Sequence, residues 1–78
     1  MEAGIAFGRV LRKLRKKSGL TQEQLGFEAD IRRSYVSILE LGQQQPSLST
    51  IIKLAKALNV QCGELMCLVE KEINESKS

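Results

Sequence analysis

Seventy-eight residues with 12 Lys/Arg against 9 Asp/Glu carry a formal charge of +3, and 42% apolar residues suit one small globular domain rather than a disordered tail. The longest apolar run, Leu65 to Val69, falls far short of the roughly 20 residues that cross a bilayer, and the densely basic Arg9 to Lys17 is no signal-peptide core, so a cytoplasmic location is expected. Histidine is absent, and neither G-x-x-x-x-G-K nor G-x-G-x-x-G occurs, so no catalytic residue, metal site or cofactor is expected and an enzyme is disfavoured.

Apolar spacing reads as helix throughout. Phe7, Val10, Leu11 and Leu14 follow i, i+3, i+4, i+7, with Arg9, Arg12, Lys13, Lys16 and Lys17 mostly off that stripe as a solvated face. Ser18-Gly19 stops this first helix. Thr21-Gln22-Glu23-Gln24 is a capping box that opens a short second helix ending near Ala29. Asp30-Ile31 forms a tight turn, and a third helix runs from Arg33 to Leu41, where Gly42 ends it. After the polar Gln43-Gln44-Gln45-Pro46, Ser47 caps a fourth helix whose stripe is Leu48, Ile51, Ile52, Ala55 and Leu58. A fifth begins near Cys62 and reaches about Asn74, leaving a frayed tail over 75–78. The expected fold is all-α: five helices in a single domain spanning 1–78.

The two cysteines, Cys62 and Cys67, stand five residues apart, about 140° around a helix, so they cannot bridge each other and are expected to be buried thiols. Charge divides along the chain. Residues 1–56 hold ten Lys/Arg and five Asp/Glu, whereas 57–78 hold two lysines and four glutamates. The basic part points toward a polyanion and the acidic end toward solvent or protein.

Two short helices joined by three or four residues make a helix-turn-helix. The spacing agrees: Gly26 is small where the next helix crosses, Asp30 tolerates the left-handed turn, and Val36 locks the third helix inward. The elements L-T-Q-E-x-L, R-S-Y-V-S, E-x-G and P-S-L-x-T-I, from Leu20 to Ile51, resemble the Cro and phage-repressor helix-turn-helix family of the xenobiotic-response-element type. The match covers residues 5–69, and the length resembles stand-alone members, particularly restriction–modification controller proteins. The resemblance implies a five-helix lambda-repressor-like domain with the motif at helices 2 and 3, and a sequence-specific regulator of transcription that binds double-stranded DNA. It further implies a prokaryotic or phage-encoded protein acting at the nucleoid.

In that family helix 3 enters the major groove. Arg33, Ser34, Ser37, Ile38 and Leu41 share one face by helical spacing, and Val36, Leu39 and Glu40 another. Arg33 is the foremost base-reading candidate, because its guanidinium fork matches guanine O6 and N7 together. Arg32, Ser34, Ser37 and Ile38 complete that set, Ile38 against a thymine methyl. The resemblance places Gln22 against the DNA backbone, which the free N–H groups of a helix start also favour. Tyr35, Gln43, Gln44 and Gln45 are further backbone candidates. Glu40 resembles a position that pairs with a basic residue late in helix 1, here Arg15, as a structural bridge. Leu20, Leu25, Val36, Leu39, Ile51, Ile52, Leu54 and Leu58 are expected in the core.

On helix 5, Cys62 and Leu65 suit the inner side. Met66, Val69 and Ile73 follow i, i+3, i+7 and are expected to form an exposed stripe covered by a second copy. A two-fold homodimer would read half-sites of an approximately palindromic operator about 34 Å apart. RNA polymerase is a further candidate partner. The rival reading is a protein-interaction module on the same fold, antitoxin-like or coactivator-like, which the apolar Ile38 and Leu41 on the outer face would suit.

Overall fold

The computed structural model describes residues 1–76. Five helices follow in order: α1 Ala3–Lys17, α2 Gln22–Ala29, α3 Arg33–Glu40, α4 Leu48–Ala57 and α5 Cys62–Glu75, with no strand among the described residues. Helix α1 starts a turn before its apolar stripe because Glu2 caps it. The Glu2 carboxylate accepts from the Gly4 N–H at 2.8 Å and from Gln45 Nε2 at 3.0 Å. Those two donors, the backbone one foremost, hold the carboxyl below its ordinary range. At α2 both arms of the capping box form: Thr21 Oγ1 accepts from the Gln24 N–H at 3.0 Å, and Gln24 Oε1 from the Thr21 N–H at 2.9 Å. Ser47 Oγ accepts from the Thr50 N–H at 3.2 Å and starts α4.

Every helix sends at least one fully buried side chain to a common centre: Leu11, Leu25, Val36, Leu39, Leu54 and Leu65. Helix α1 packs on α3 and α5, α2 on α3 and α4, and α4 on α5. Glu72 of α5 reinforces the α1 contact, 3.1 Å from Lys13 Nζ and 3.8 Å from Arg9.

Several expectations from the sequence need correction. Val69 is buried in the protomer's own core, and Ile73 is half-buried against it; of the supposed outer stripe only Met66, 42% exposed, faces outward. Val69 lies about 40° from Leu65 around the helix and Met66 about 100° from it, so Leu65 and Val69 form the inward line. On α4, Leu48 and Ile52 are exposed, while Thr50, Leu54, Ala55 and Leu58 supply the buried face. Cys67 is exposed and Cys62 only half-buried, so neither is a fully buried thiol. Helix α5 stays regular to Glu75, and Ser76 Oγ donates to the Ile73 carbonyl at 2.7 Å. Residues 77 and 78 of the expected frayed tail lie outside the described residues. No helix among the described residues is long and apolar enough to cross a membrane.

Candidate nucleic-acid interface

The turn between α2 and α3 is built from two residues with backbone roles. Asp30 sits in the left-handed region at φ 57° and ψ 46°, and the next N–H, that of Ile31, donates to the Gly26 carbonyl at 2.9 Å. This folds the chain back so tightly that a Cβ on Gly26 would lie 2.7 Å from the Ile31 carbonyl oxygen. Glycine at this crossing is therefore a steric requirement.

The inner side of α3 is then fixed. Val36 and Leu39 are fully buried. Glu40, at the last turn, receives Arg15 in a two-pronged ion pair, with Nε at 2.6 Å from Oε2 and Nη2 at 3.1 Å from Oε1. Their side chains are 11% and 4% exposed, respectively. Arg15 Nη1 also donates to the Leu20 carbonyl at 2.9 Å, and Gln22 Nε2 donates to Glu40 Oε1 at 3.1 Å. The hydrogen bonds to Glu40 raise the Arg15 pKa above its ordinary value. One carboxylate thus ties α1, the start of α2 and the end of α3 together. Sequence reading reached the Arg15–Glu40 pair but not the joining of Gln22 to it.

A second tie escaped the sequence. Gly8 lets α1 cross the end of α3 directly: a Cβ there would run into the Leu39 carbonyl and lie 2.7 Å from that of Glu40. The available signal was a glycine in mid-helix beside an apolar stripe, where it costs about 1 kcal/mol relative to alanine and therefore marks a close approach.

The outer side of α3 is open. Arg32, Arg33 and Ser34 are exposed, Ser37 and Ile38 half-buried, and Leu41 is 63% exposed. Arg32 occupies the N-cap with extended backbone and no side-chain cap bond, leaving the first N–H groups of α3 without a side-chain acceptor. Neither Arg32 nor Arg33 forms an ion pair among the described residues, so both guanidinium forks remain available. Arg33 lines a cleft with Arg15, Thr21, Gln22 and Glu23, which brings the start of α2 and the start of α3 to one surface. Gln22, half-buried at the start of α2, lines that cleft with one amide proton given to Glu40.

Tyr35 is half-buried with its ring against the core. Gln43 and Gln44 are exposed just past Gly42, whose φ of 73° ends α3. Gln45 is drawn to Glu2 instead and belongs to the α1 cap. The expected residues therefore fall into one exposed set around the start and outer side of α3 and one inward set around Glu40. Among the described residues no group of three or more His, Cys, Asp or Glu side chains is placed to hold a metal ion.

Similarity to known proteins decides what kind of helix-turn-helix this is. A family profile described as helix-turn-helix matches residues 11–65. The control protein C.BamHI of Bacillus amyloliquefaciens is 43% identical over 63 residues, covering 80% of this chain and 78% of the relative. The chain belongs to the helix-turn-helix family. Within it, this helix-turn-helix protein is of the Cro and phage-repressor kind, with restriction–modification control proteins among its relatives. The crystal structure of the controller protein C.AhdI from Aeromonas hydrophila matches 80% of this chain and 94% of its own, with 47% identity and a TM-score of 0.77. A tetramer of the controller protein C.Esp1396I in complex with its natural 35 base-pair operator matches at 25% identity and a TM-score of 0.85, covering 94% of this chain and 96% of that one.

Proposed function

We propose that this protein is a sequence-specific regulator of transcription that binds an approximately palindromic operator as a homodimer, with α3 in the major groove. The observation that carries the reading is the two-sidedness of α3: its inner side is fixed by Val36, Leu39 and Glu40, while Arg33 and Ser34 stand free on the outer side. Operator binding by the C.Esp1396I controller, a relative of the same fold, supports it. Arg33 reads a base edge with Arg32, Ser34, Ser37 and Ile38 around it. Gln22, Tyr35, Gln43 and Gln44 meet sugar–phosphate and set the register, because backbone contacts position while base contacts specify. The function is regulatory rather than enzymatic, and the setting is the cytoplasm of a prokaryote, with RNA polymerase as partner where the operator lies beside a promoter.

The dimer surface moves from the stripe expected on α5 to the junction of α4 and α5. There Ile52 and Met66 are exposed large apolar side chains, and Pro46, Ile51 and Met66 border one groove while Ile52, Ala55 and Cys62 border the next. Apolar surface of this extent on so small a domain is an assembly surface.

Selection of bound duplexes from a random pool, followed by a salt titration of the winner, tests the proposal. The expected product is a two-fold repeat with half-sites about one DNA turn apart, bound less tightly by orders of magnitude as salt rises from about 50 to 200 mM. Enrichment of no sequence, with no salt-dependent binding to random duplex, would favour the protein-interaction module that the exposed Leu41 would suit.

A further inference from the structure

The outer side of α3 ends in an apolar residue to which the proposed contacts give no role. Leu41 is 63% exposed, yet it is still helical: its backbone lies at φ −81° and ψ −6°, and its N–H donates to the Ser37 carbonyl at 3.0 Å. Only at Gly42, with φ 73°, does the chain turn away. Helical spacing therefore applies to Leu41. It puts that side chain about 20° from Ser34 around the helix and about 170° from the midpoint between the buried Val36 and Leu39. Ile38, expected from the sequence to meet a thymine methyl, stands about 40° from Ser34 on the other flank and is half-buried. Leu41 thus lies closer than Ile38 to the crest of the outer side. The one acid between Arg33 and Gln44 is Glu40, whose side chain is turned inward and 4% exposed, so nothing on this crest repels phosphate.

We infer that Leu41 reads the C5-methyl group of a pyrimidine in the major groove, on thymine or on 5-methylcytosine alike. The inference rests on the DNA-binding reading above and deepens it by adding a residue that determines specificity. Leucine carries no donor or acceptor, so it is blind to the hydrogen-bonding code of base edges and responds only to apolar surface. The C5 methyl of thymine is the one apolar group that an unmodified base pair presents in that groove, and methylation of cytosine puts the same group on the same atom. Continuity with the reading face favours a base over a protein as the occupant: Ser34 and Ser37 precede Leu41 on that face, and the exposed Gln43 and Gln44 follow it. Position follows from helix geometry. Seven residues from Ser34 to Leu41 rise about 10 Å, or about three base-pair steps of about 3.4 Å. With Arg33 and Ser34 reading one end of the half-site, the methyl lies about three base pairs further along it.

The test replaces the thymines of the selected duplex one at a time with uracil, which removes the methyl and nothing else, and compares the wild type with Leu41→Ala. Truncation at so exposed a position leaves the core intact, and thermal melting checks this. The wild type is expected to lose affinity about fourfold at one uracil of each half-site, the contribution of about one buried methyl group. That base pair should lie about three from the one at which Arg33→Ala loses discrimination. Leu41→Ala is expected to bind the thymine and uracil duplexes equally there, while keeping the wild-type response at every other thymine. A second arm places cytosine, then 5-methylcytosine, at that base pair. The wild type is expected to favour the methylated base by a similar factor and Leu41→Ala to be indifferent. This response without one to uracil would assign the methyl to 5-methylcytosine rather than thymine. A wild type that senses no methyl in either arm would overturn the inference, as would a methyl response that persists in Leu41→Ala. Equal binding of every duplex by the variant and the wild type would assign Leu41 to a protein partner and overturn it too. A wild type that binds no duplex with sequence preference would instead refute the DNA-binding reading itself, and the inference with it.

Discussion

The inner and outer sides of α3 belong to the same eight residues and obey opposite rules. On the inner side Val36 and Leu39 have no exposed surface, and Glu40 carries hydrogen bonds from Arg15 and Gln22. On the outer side Arg33 and Ser34 are exposed and bonded to nothing else in the described chain. A reading head needs both. Base edges are distinguished by placing a few donors and acceptors within fractions of an ångström, so the rod that carries them must not shift, whereas the donors themselves must be unspent. On α5, by contrast, Met66 stands exposed among mainly charged residues, Glu64, Glu70, Lys71 and Glu75, and the acids among them repel phosphate.

Cutting the inner tie is expected to have the largest consequence. Glu40→Ala leaves the Arg15 guanidinium half-buried without its carboxylate and is expected to cost about 3 kcal/mol in urea unfolding. Replacing both partners with apolar residues of similar size is expected to recover much of that loss, which a double-mutant cycle measures. DNA binding would fall with folding in the first variant and recover in the second.

Cutting the outer side should do the reverse. Arg33→Ala is expected to leave thermal stability within about 0.5 kcal/mol while costing about 1–3 kcal/mol of operator affinity. A smaller effect on the inner side comes from Gly8→Ala. In an exposed helix this change stabilises by up to about 1 kcal/mol, but here the added methyl meets the Leu39 and Glu40 carbonyls, so destabilisation of about 1–2 kcal/mol is expected. Met66→Glu, at the α4/α5 junction, is expected to weaken self-association in sedimentation with little change in monomer stability, whereas Val69→Glu should unfold the protomer. That pair separates an assembly surface from a core.

The smallest expected effect concerns pH. The folded Glu2 carboxyl titrates below its ordinary value of 4.5 because it accepts from Gly4 and Gln45. A lowered folded pKa stabilises above the unfolded value, and the contribution disappears as pH falls through the folded one. The α1 cap should therefore loosen only below about pH 4.5, and Glu2→Gln should flatten that acid-side slope; amide exchange at Gly4 reports it.

How much of this was legible in the sequence depended on range. The capping box at Thr21 and Gln24, the Ser47 cap and the left-handed Asp30 depend on residues within one turn, and each appears as the local pattern indicates. The Arg15–Glu40 pair spans 25 positions and was reached through resemblance, not through spacing. Glu2 with Gln45, and Gly8 beneath Leu39 and Glu40, join segments distant along the chain with no local trace beyond a polar residue and a mid-helix glycine. The outward side of α3 could be read because Arg33 and Ser34 contrast with Val36 and Leu39. On α5 the run Leu65 to Val69 is apolar without a break, so period alone could not tell which of Met66 and Val69 turned inward; α4 misled in the same way through Leu48 and Ile52.

Selection of bound duplexes with Arg33→Ala asks whether the outer side of α3 reads bases. The expected outcome is a site of the same two-fold symmetry and spacing in which discrimination is lost at one base pair of each half-site. An unchanged preference at every position, with undiminished affinity, would contradict it.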